Sequence, residues 1–391
     1  MKHFTITFCG IFFVITAIAT PVLAGHSHSI DDVTELQTAL DAKADQGELD
    51  ALTATVIGKA AAGHSHGHGN TAVVATSGGE YTSPVDAVND IASWCGTPGV
   101  NNPCLVQVMP GVYDIGTSGL ILPEYVDLAG SGPNVTVLVG VKPLPDSTLN
   151  GMIQVSHSAI RDITVECVGN PSGMYVSAIS SQGTYLGLKN VSVYAVAESG
   201  ASRYLSAIYS RASETSIMDA KVEAVNNSSG GTRYGHAIDL YNVTDGSLSR
   251  LNIVSTSDNP SYTGTSRGVQ VYSNLTTPNR VTIDDTRISA TGGNAGNGIV
   301  YMSTGTDFHM DGVKVTEATV GFTGFLYDQT SIFIDRSELV GTLKALGFSN
   351  GSTGATAFVS NSKVDGPIDP QTATLKCVGV IDGNYDPVVC P

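Results

Sequence analysis

The sequence predicts an all-β fold: a right-handed parallel β-helix solenoid with an N-terminal capping helix and a short helical N-terminal stem. Three observations lead to this prediction. Only 14% of the 391 residues are charged, while 44 are glycine, a composition unlike that of long surface helices. A six-residue unit that begins and ends with an apolar residue recurs from residue 158 onward. A second pattern, a small residue before an apolar one, recurs between its copies.

Residues 1–24 have the features of a signal peptide. Lys2 precedes the apolar run Ile11–Ile15, and Ala24 stands before Gly25 as at a cleavage site. No later stretch approaches the roughly 20 apolar residues that a membrane-spanning helix needs. We therefore expect a secreted protein, extracellular or periplasmic, without a membrane span.

The cysteine spacing agrees with an oxidising compartment. Cys95 and Cys104 bracket one turn-rich segment, and Cys377 and Cys390 bracket another in the C-terminal tail, residues 377–391. Each pair is predicted to form a disulfide that closes its loop. Cys167 ends an alternating apolar run and is predicted to be a buried thiol.

Residues 25–70 are predicted to form a stem or linker. Apolar residues recur there at helical spacing and predict two short helices: Ile30, Val33, Leu36 and Leu40, then Leu49, Leu52 and Val56. The flanking segments contain five of the nine histidines: His26, His28, His64, His66 and His68.

The segment from Val33 to Ala44 resembles the stems of phage-type tail fibres. The resemblance implies a homotrimer through residues 25–70, in which His-x-His motifs from three chains bind one transition metal. Imidazole suits Zn, Ni, Cu or Fe. The alternative is a flexible linker that binds no metal specifically.

The body, residues 71–376, opens with a helix signal over residues 84–94. Ser83 can cap this helix, Pro84 suits its first position, and an apolar stripe follows. We expect the helix to cover the N-terminal end of the core. The stripe consists of Val85, Val88, Ile91 and Trp94.

Alternating strands follow. A strand with a Pro-Gly-x-Tyr turn (residues 106–113), a strand with a Gly-x-Gly turn (125–132) and a third strand (136–140) occur in order. This order resembles the opening coils of pectin methylesterases and other pectin-lyase-like β-helix proteins. The resemblance implies the β-helix fold and, in many members, binding of polysaccharides along one sheet.

The apolar unit then recurs eight times, with third positions 24 to 35 residues apart. A turn-type residue holds the third position in six units, and Arg250 and Arg336 hold it in the other two. We interpret these positions as a ladder of turns. The units are Ile160–Val165, Leu188–Val193, Ile217–Val222, Leu248–Ile253, Ile283–Ile288, Met310–Val315, Ile334–Leu339 and Val359–Val364.

Between the units lies the second pattern, a small residue followed by an apolar one, which we call the second column. It recurs once per unit, which predicts stacked coils in which loops absorb the differences in coil length. Its members are Ala178-Ile179, Ala207-Ile208, Ala237-Ile238, Gly268-Val269, Gly298-Ile299, Gly324-Phe325 and Gly347-Phe348.

A candidate binding surface lies beside this column. If Ile208 and Ile238 point inward, strand alternation places a set of charged, aromatic and amide side chains outward. The same alternation turns His236 inward, which favours a hydrogen-bonded core residue over the alternative, a base. Two cations, a carboxylate and an aromatic suit a sugar acid, whereas the alternative is a solvated sheet face with Arg–Asp pairing. The set is Arg203, Arg233, Tyr209, Asp239 and Gln270.

Other chemistry is weakly indicated. Asp284, Asp285, Asp311 and Asp335 fall near one corner of adjacent coils, which suggests either a Ca²⁺ site or more of the turn ladder. The Gln-Asp-Thr and Leu-Gly-Arg-Pro-Trp strings of pectin methylesterases are absent from the sequence. A net charge of −16 argues against a nucleic-acid partner.

Two functions therefore stay open. The first is a secreted or surface-exposed β-helix protein with a structural, adhesive or glycan-binding role, whose partner is a polysaccharide or cell-surface glycan. The alternative is a carbohydrate-active enzyme, a lyase, esterase or hydrolase, that acts on a polyuronate-like polysaccharide. The missing catalytic strings favour the first.

Overall fold

The computed structural model describes the body of the chain in segments and leaves residues 1–69 outside the description. The signal peptide, the stem and the five N-terminal histidines therefore remain predictions. The described residues lie within one compact unit, Ser65–Pro391. They are residues 70–117, 119–141, 150–169, 175–197, 204–227, 234–257, 264–274, 280–292, 295–304, 307–327, 330–349, 355–371 and 373–390.

These residues form a parallel β-solenoid with three faces. Two long strands, β7 (Ile153–Gly169) and β8 (Tyr175–Ala197), run through all three faces. They join the 28 strands of the described residues into one continuous sheet. Their length reflects strand pairing that continues through the corners, although Asp162 in β7 and Asn190 in β8 turn there with φ values of 56° and 51°.

The other strands each belong to one face. The first face contains β4 (Leu120–Leu122), β9 (Tyr204–Ser210), β12 (Tyr234–Tyr241), β15 (Thr265–Tyr272), β18 (Ala295–Thr304), β21 (Val320–Tyr327), β24 (Lys344–Phe348) and β27 (Ile368–Asp369). The second contains β1 (Thr71–Val74), β2 (Cys104–Val108), β5 (Val126–Ala129), β10 (Glu214–Met218), β13 (Asp245–Ser249), β16 (Arg280–Asp284), β19 (Asp307–Asp311), β22 (Ser331–Asp335), β25 (Thr356–Ser360) and β28 (Thr374–Val378). The third contains β3 (Gly111–Asp114), β6 (Thr136–Val141), β11 (Lys221–Asn226), β14 (Asn252–Thr256), β17 (Arg287–Ala290), β20 (Lys314–Thr316), β23 (Glu338–Val340) and β26 (Lys363–Asp365).

The eight predicted units stack in register. Their first residues are strand partners from coil to coil, as are their last residues, and all are buried. Every third position turns the corner between the second and third faces with a φ between 45° and 64°. Asn, Asp and Gly reach this left-handed region most easily, so the predicted turn ladder is confirmed.

The second column is correct for five coils and wrong for the last two. Ile299 is the register partner of Phe322, and Phe322 is the partner of Leu346. The column therefore continues through Gly321-Phe322 and Ala345-Leu346, not through Gly324-Phe325 and Gly347-Phe348. The sequence offers a small-apolar pair two or three residues later in each coil, and only the strand register distinguishes them.

The single predicted helix over residues 84–94 is replaced by two short ones, α1 (Pro84–Asn89) and α2 (Ile91–Trp94). Ser83 caps α1 as predicted, accepting a hydrogen bond from the Val85 amide at 3.2 Å. Asp90, at φ −96° and ψ 21°, leaves the helical conformation and ends α1. Ala87 and Val88 of α1 belong to the apolar core of the solenoid.

Both predicted disulfides, Cys95–Cys104 and Cys377–Cys390, are present. Cys167 is a fully buried thiol of β7, also as predicted. Within the described segments, no helix is long and apolar enough to cross a membrane.

Candidate functional site

The outer side of the first face carries a row of tyrosines. Tyr175, Tyr204 and Tyr234 are register partners on three successive coils. The first two rings stack with centroids 5.2 Å apart, and the next pair follows at 5.7 Å. The stacked rings therefore form a continuous aromatic row across three coils.

A second row lies at the other end of this face, on β12 and β15, so the two rows share only β12. The rings of Tyr241 and Tyr272, also register partners, stack with centroids 4.9 Å apart. The guanidinium of Arg211 lies 5.1 Å from the centre of the Tyr241 ring. This row therefore combines aromatic surface with a positive charge.

Between the two rows lies a polar floor, made of Tyr209, His236, Asp239 and Gln270. We call the two rows and this floor the trough. His236 Nδ1 lies 3.2 Å from Asp239 Oδ2. In a regular strand, residues three apart point to opposite sides, but the strand pairing of β12 is interrupted at Ala237. The interruption brings His236 to the same side as Asp239. His236 is buried and hydrogen-bonded as predicted, but strand alternation gave the wrong side for its imidazole.

The floor is tied to the next coil by a chain of hydrogen bonds. Gln270 Nε2 donates to Asp239 Oδ1 at 3.0 Å. The Arg267 guanidinium donates to Gln270 Oε1 and lies 4.4 Å from the centre of the Tyr234 ring. The network therefore runs from His236 through Asp239, Gln270 and Arg267 to the first tyrosine row.

The floor is more buried than strand alternation predicts. Tyr209, Asp239 and Gln270 were expected on an open outer face, yet they are only 3%, 6% and 8% exposed. Successive coils are about 4.8 Å apart, so the larger side chains of the flanking rows and neighbouring coils leave little room for solvent. Arg203 and Arg233, the two predicted cations, lie outside the described residues.

Sequence reasoning missed the two tyrosine rows and Arg267. A signal existed, because tyrosines recur at coil spacing at positions 175, 204 and 234, and again at 241 and 272. The pairing of His236 with Asp239 was also missed, because it depends on the strand interruption at Ala237.

Burial sets the protonation of the floor. Burial lowers the pKa of His236, and Asp239 only partly opposes this effect, so the imidazole is neutral near neutral pH. Burial also raises the pKa of Tyr209, and the charge of Asp239 adds to the rise, so its phenol stays protonated. The floor thus holds a neutral base and a weak acid on adjacent coils.

The hydrogen bonds define which nitrogen of His236 carries the proton. A carboxylate only accepts hydrogen bonds, so Nδ1 must donate to Asp239 and Nε2 must carry the lone pair. Within the part of the chain that the structure describes, this buried Nε2 has no hydrogen-bond partner.

A metal-binding role is not apparent in the described segments, where no three His, Cys, Asp or Glu side chains are grouped to hold an ion. Asp284, Asp311 and Asp335 do align on successive coils. However, Arg336 Nε donates to Asp311 at 2.7 Å, and Asp335 accepts from Ser360 Oγ at 2.6 Å. Asp311 and Asp335 therefore accept hydrogen bonds from neighbouring side chains of the turn ladder. The calcium site stays a prediction.

Comparison with known proteins gives distant likenesses only. No family model and no curated protein sequence matches the chain. Among solved structures, it is similar to the A-module of mannuronan C-5 epimerase AlgE4 from Azotobacter vinelandii, with 15% identity, a TM-score of 0.34 and coverage of 78% of this chain and 95% of that one.

Two further structures show similar values. Pectin methylesterase PemA from Erwinia chrysanthemi has 12% identity and a TM-score of 0.41 over 81% of this chain and 90% of its own. ORF18 of Geobacillus virus E2 has 13% identity and a TM-score of 0.35 over 88% and 63%. Values this low do not assign a function, which must be argued from the trough itself.

Proposed function

We propose that the protein binds a uronate-containing polysaccharide along the trough. The observation that carries this proposal is a hydrogen-bonding floor on β9, β12 and β15 with a tyrosine row at each end, the two rows overlapping on β12. An extended polymer lying along the solenoid would meet aromatic and polar groups on each of these coils. Binding sites of this kind combine aromatic surface with a few polar groups that fix orientation.

The charges of the trough favour an acidic sugar. The chain has 35 acidic and 19 basic residues, so isolated cations stand out against a negative background. Arg211 lies beside the second tyrosine row and Arg267 beside the first. Guanidinium groups match carboxylates in charge and geometry, whereas Asp239 is already engaged by His236 and Gln270.

Affinity electrophoresis of the purified mature protein tests this proposal. Gels containing polygalacturonate or alginate should retard the protein, and neutral dextran should not. We expect Arg211→Ala and Tyr272→Ala to bind about tenfold more weakly, the effect of losing about 1.4 kcal/mol of contact energy.

Lys376→Ala is the matched control. Its ammonium also lies over an aromatic ring, 5.1 Å from the centre of Phe358, but on the second face. The control should bind like the wild-type protein. Equal retardation by dextran, or equal binding by all three variants, would contradict the proposal.

We further propose that the chain is secreted and that residues 25–70 assemble three copies through the helical stem, with the five histidines holding a transition metal. Such an assembly would present three troughs and suit an adhesive role at a surface. Sedimentation of the full mature chain, and of a chain that begins at residue 71, tests this. A trimer is expected only for the longer chain, and a chelator should weaken it; two monomers would contradict the stem proposal without affecting the trough.

A further inference from the structure

We infer that the trough is also catalytic: His236 Nε2 removes the proton from the carbon next to a bound uronate carboxylate, and Tyr209 protonates the departing sugar oxygen. This inference rests on the proposed function, because it requires a uronate chain in the trough. The trough would then be the active site of a polyuronate lyase as well as a binding surface.

The first argument is the unsatisfied nitrogen. Leaving a buried polar atom without a hydrogen bond costs about 1–3 kcal/mol, and such atoms are few in folded proteins. His236 is 3% exposed, and its Nε2 has no partner among the described residues. An apolar residue or a serine, as at the register partner Ser206, would fill this position without that cost. An imidazole at this position is therefore best explained by a ligand atom that interacts with Nε2.

The second argument is orientation. Asp239 accepts from Nδ1 and so places the lone pair on Nε2, the form a general base needs. Gln270 in turn fixes the Asp239 carboxylate from the next coil. Asp239 and Gln270 are thus positioning residues, and three residues from two coils hold one imidazole in a single tautomer.

The third argument is a proton donor on the neighbouring coil. Tyr209 is the register partner of Asp239 and lies on the same outer side of the face. Its phenol is protonated for the reason given above. The acid and the base therefore stand on adjacent coils, whose strands are about 4.8 Å apart.

The reaction that this pair supports is β-elimination. His236 Nε2 takes the proton from C5, the C5–H electron pair forms the C4=C5 double bond, and the C4–O4 bond breaks. Tyr209 gives its proton to O4, which leaves as the hydroxyl of the released chain. Proton transfer from the imidazolium to the phenolate, directly or through solvent, restores both groups, so no oxidant, reductant or co-reactant is needed.

Access to His236 requires a small rearrangement that the ligand itself can drive. The Tyr234 ring lies 5.9 Å from the imidazole, and Arg267 covers that ring while it bonds the neutral amide of Gln270. A carboxylate is a stronger acceptor for a guanidinium than an amide. A bound uronate would therefore compete with Gln270 for Arg267, beside the Tyr234 ring and His236.

The test combines binding with product formation on the full mature chain. Polygalacturonate and alginate serve as probes, with gel retardation for binding and ultraviolet absorbance of the unsaturated product for activity. We expect His236→Asn and Tyr209→Phe still to be retarded by the acidic probes and to lose activity by about 10²–10⁴-fold, the usual contribution of a general acid or base.

His157→Asn is the matched control, because His157 also bonds through Nδ1, to Thr184 Oγ1 at 2.6 Å, but lies outside the trough. It should retain full activity. Thermal melts verify folding, and Tyr209→Phe, which removes a single oxygen, keeps the test decisive if His236→Asn unfolds.

The outcomes separate the two proposals. Binding that depends on Arg211 and Tyr272 without unsaturated product, or product formed equally by the His236 and Tyr209 variants, would overturn the catalytic inference and leave the proposed function standing. No binding to either acidic probe, together with no product, would overturn both.

Discussion

The third residue of each repeat unit adopts a backbone conformation that most residues avoid. Asn190 has a φ of 51°, and its side chain donates to Asp162 Oδ1, on the preceding coil, at 2.7 Å. Left-handed backbone costs a residue with a Cβ roughly 1–2 kcal/mol, and glycine does not carry that cost. Asn is a compromise, since it accepts the conformation and supplies a bond between coils.

We therefore predict that Asn190→Gly is more stable than Asn190→Ala by about 1 kcal/mol. Both variants lose the same side-chain bond to Asp162, so the comparison isolates the backbone term. Urea unfolding curves of the two variants measure the difference. Equal midpoints would show that the corner relaxes to another conformation when the side chain is removed.

A second residue-scale prediction concerns Glu338 on the third face. Its carboxylate lies 2.5 Å from Lys314 Nζ and 3.4 Å from Lys363 Nζ, and the hydrogen bond from Lys314 is the main cause that lowers its pKa below the ordinary value of 4.5. A lowered carboxyl pKa stabilises the folded state above the unfolded-state value, and this stabilisation is lost as the pH falls through the folded-state value.

Glu338→Gln should accordingly be less stable than the wild-type protein at neutral pH, by less than about 1 kcal/mol because the pair is partly solvated. The difference should disappear as the pH falls below 4.5. Thermal midpoints over a pH series measure it. Glu124→Gln, at an exposed residue without an ion pair in the described segments, should show no such pH-dependent difference.

At the scale of the element, the second column requires small residues because the strand there lies against the side chains of the third face. A Cβ at Gly268 would overlap Ile288 Cγ2 and would lie 2.6 Å from the Gly298 carbonyl oxygen. Both neighbours are buried, and the carbonyl belongs to the backbone, so neither can move freely.

Gly268→Ala should thus destabilise the protein by about 1–3 kcal/mol, the usual cost of overpacking. Gly99→Ala is the control, because a Cβ there meets nothing within 4 Å. Denaturant unfolding of both variants would test this, and a neutral Gly268→Ala would mean that the coil can shift to accommodate a methyl group.

The same contrast shows which elements a sequence can predict. The repeat units were predictable because each combines two apolar residues with a turn residue at fixed spacing. Each coil contains only one segment that fits this pattern well. The second column was ambiguous at Gly324 and Gly347, since a small residue before an apolar one is common in strands. The trough was half predictable, because alternation found Asp239 and Gln270 but not the strand interruption that brings His236 beside them.

At the scale of the whole molecule, each coil contacts only its neighbours, so stability is close to a sum of local terms. The middle coils are covered on both sides, whereas the last strand, β28, pairs with β25 only and alternates between half-buried and exposed residues. The Cys377–Cys390 disulfide spans 13 residues and ties this strand to the C-terminal tail. The spacing of the cysteines predicted this bond, but only the structure shows that it closes an open end of the solenoid.

Replacing Cys377 and Cys390 by serine should therefore fray the C-terminal end and leave the centre intact. Closing a loop of this length is worth about 3 kcal/mol in the chain-entropy estimate, which is large for one terminal coil and acts only there. Hydrogen exchange should accelerate over residues 374–390 and stay unchanged over β7. If exchange in β7 accelerated equally, the solenoid would unfold as a single cooperative unit, and the local additivity that the repeated register implies would be wrong.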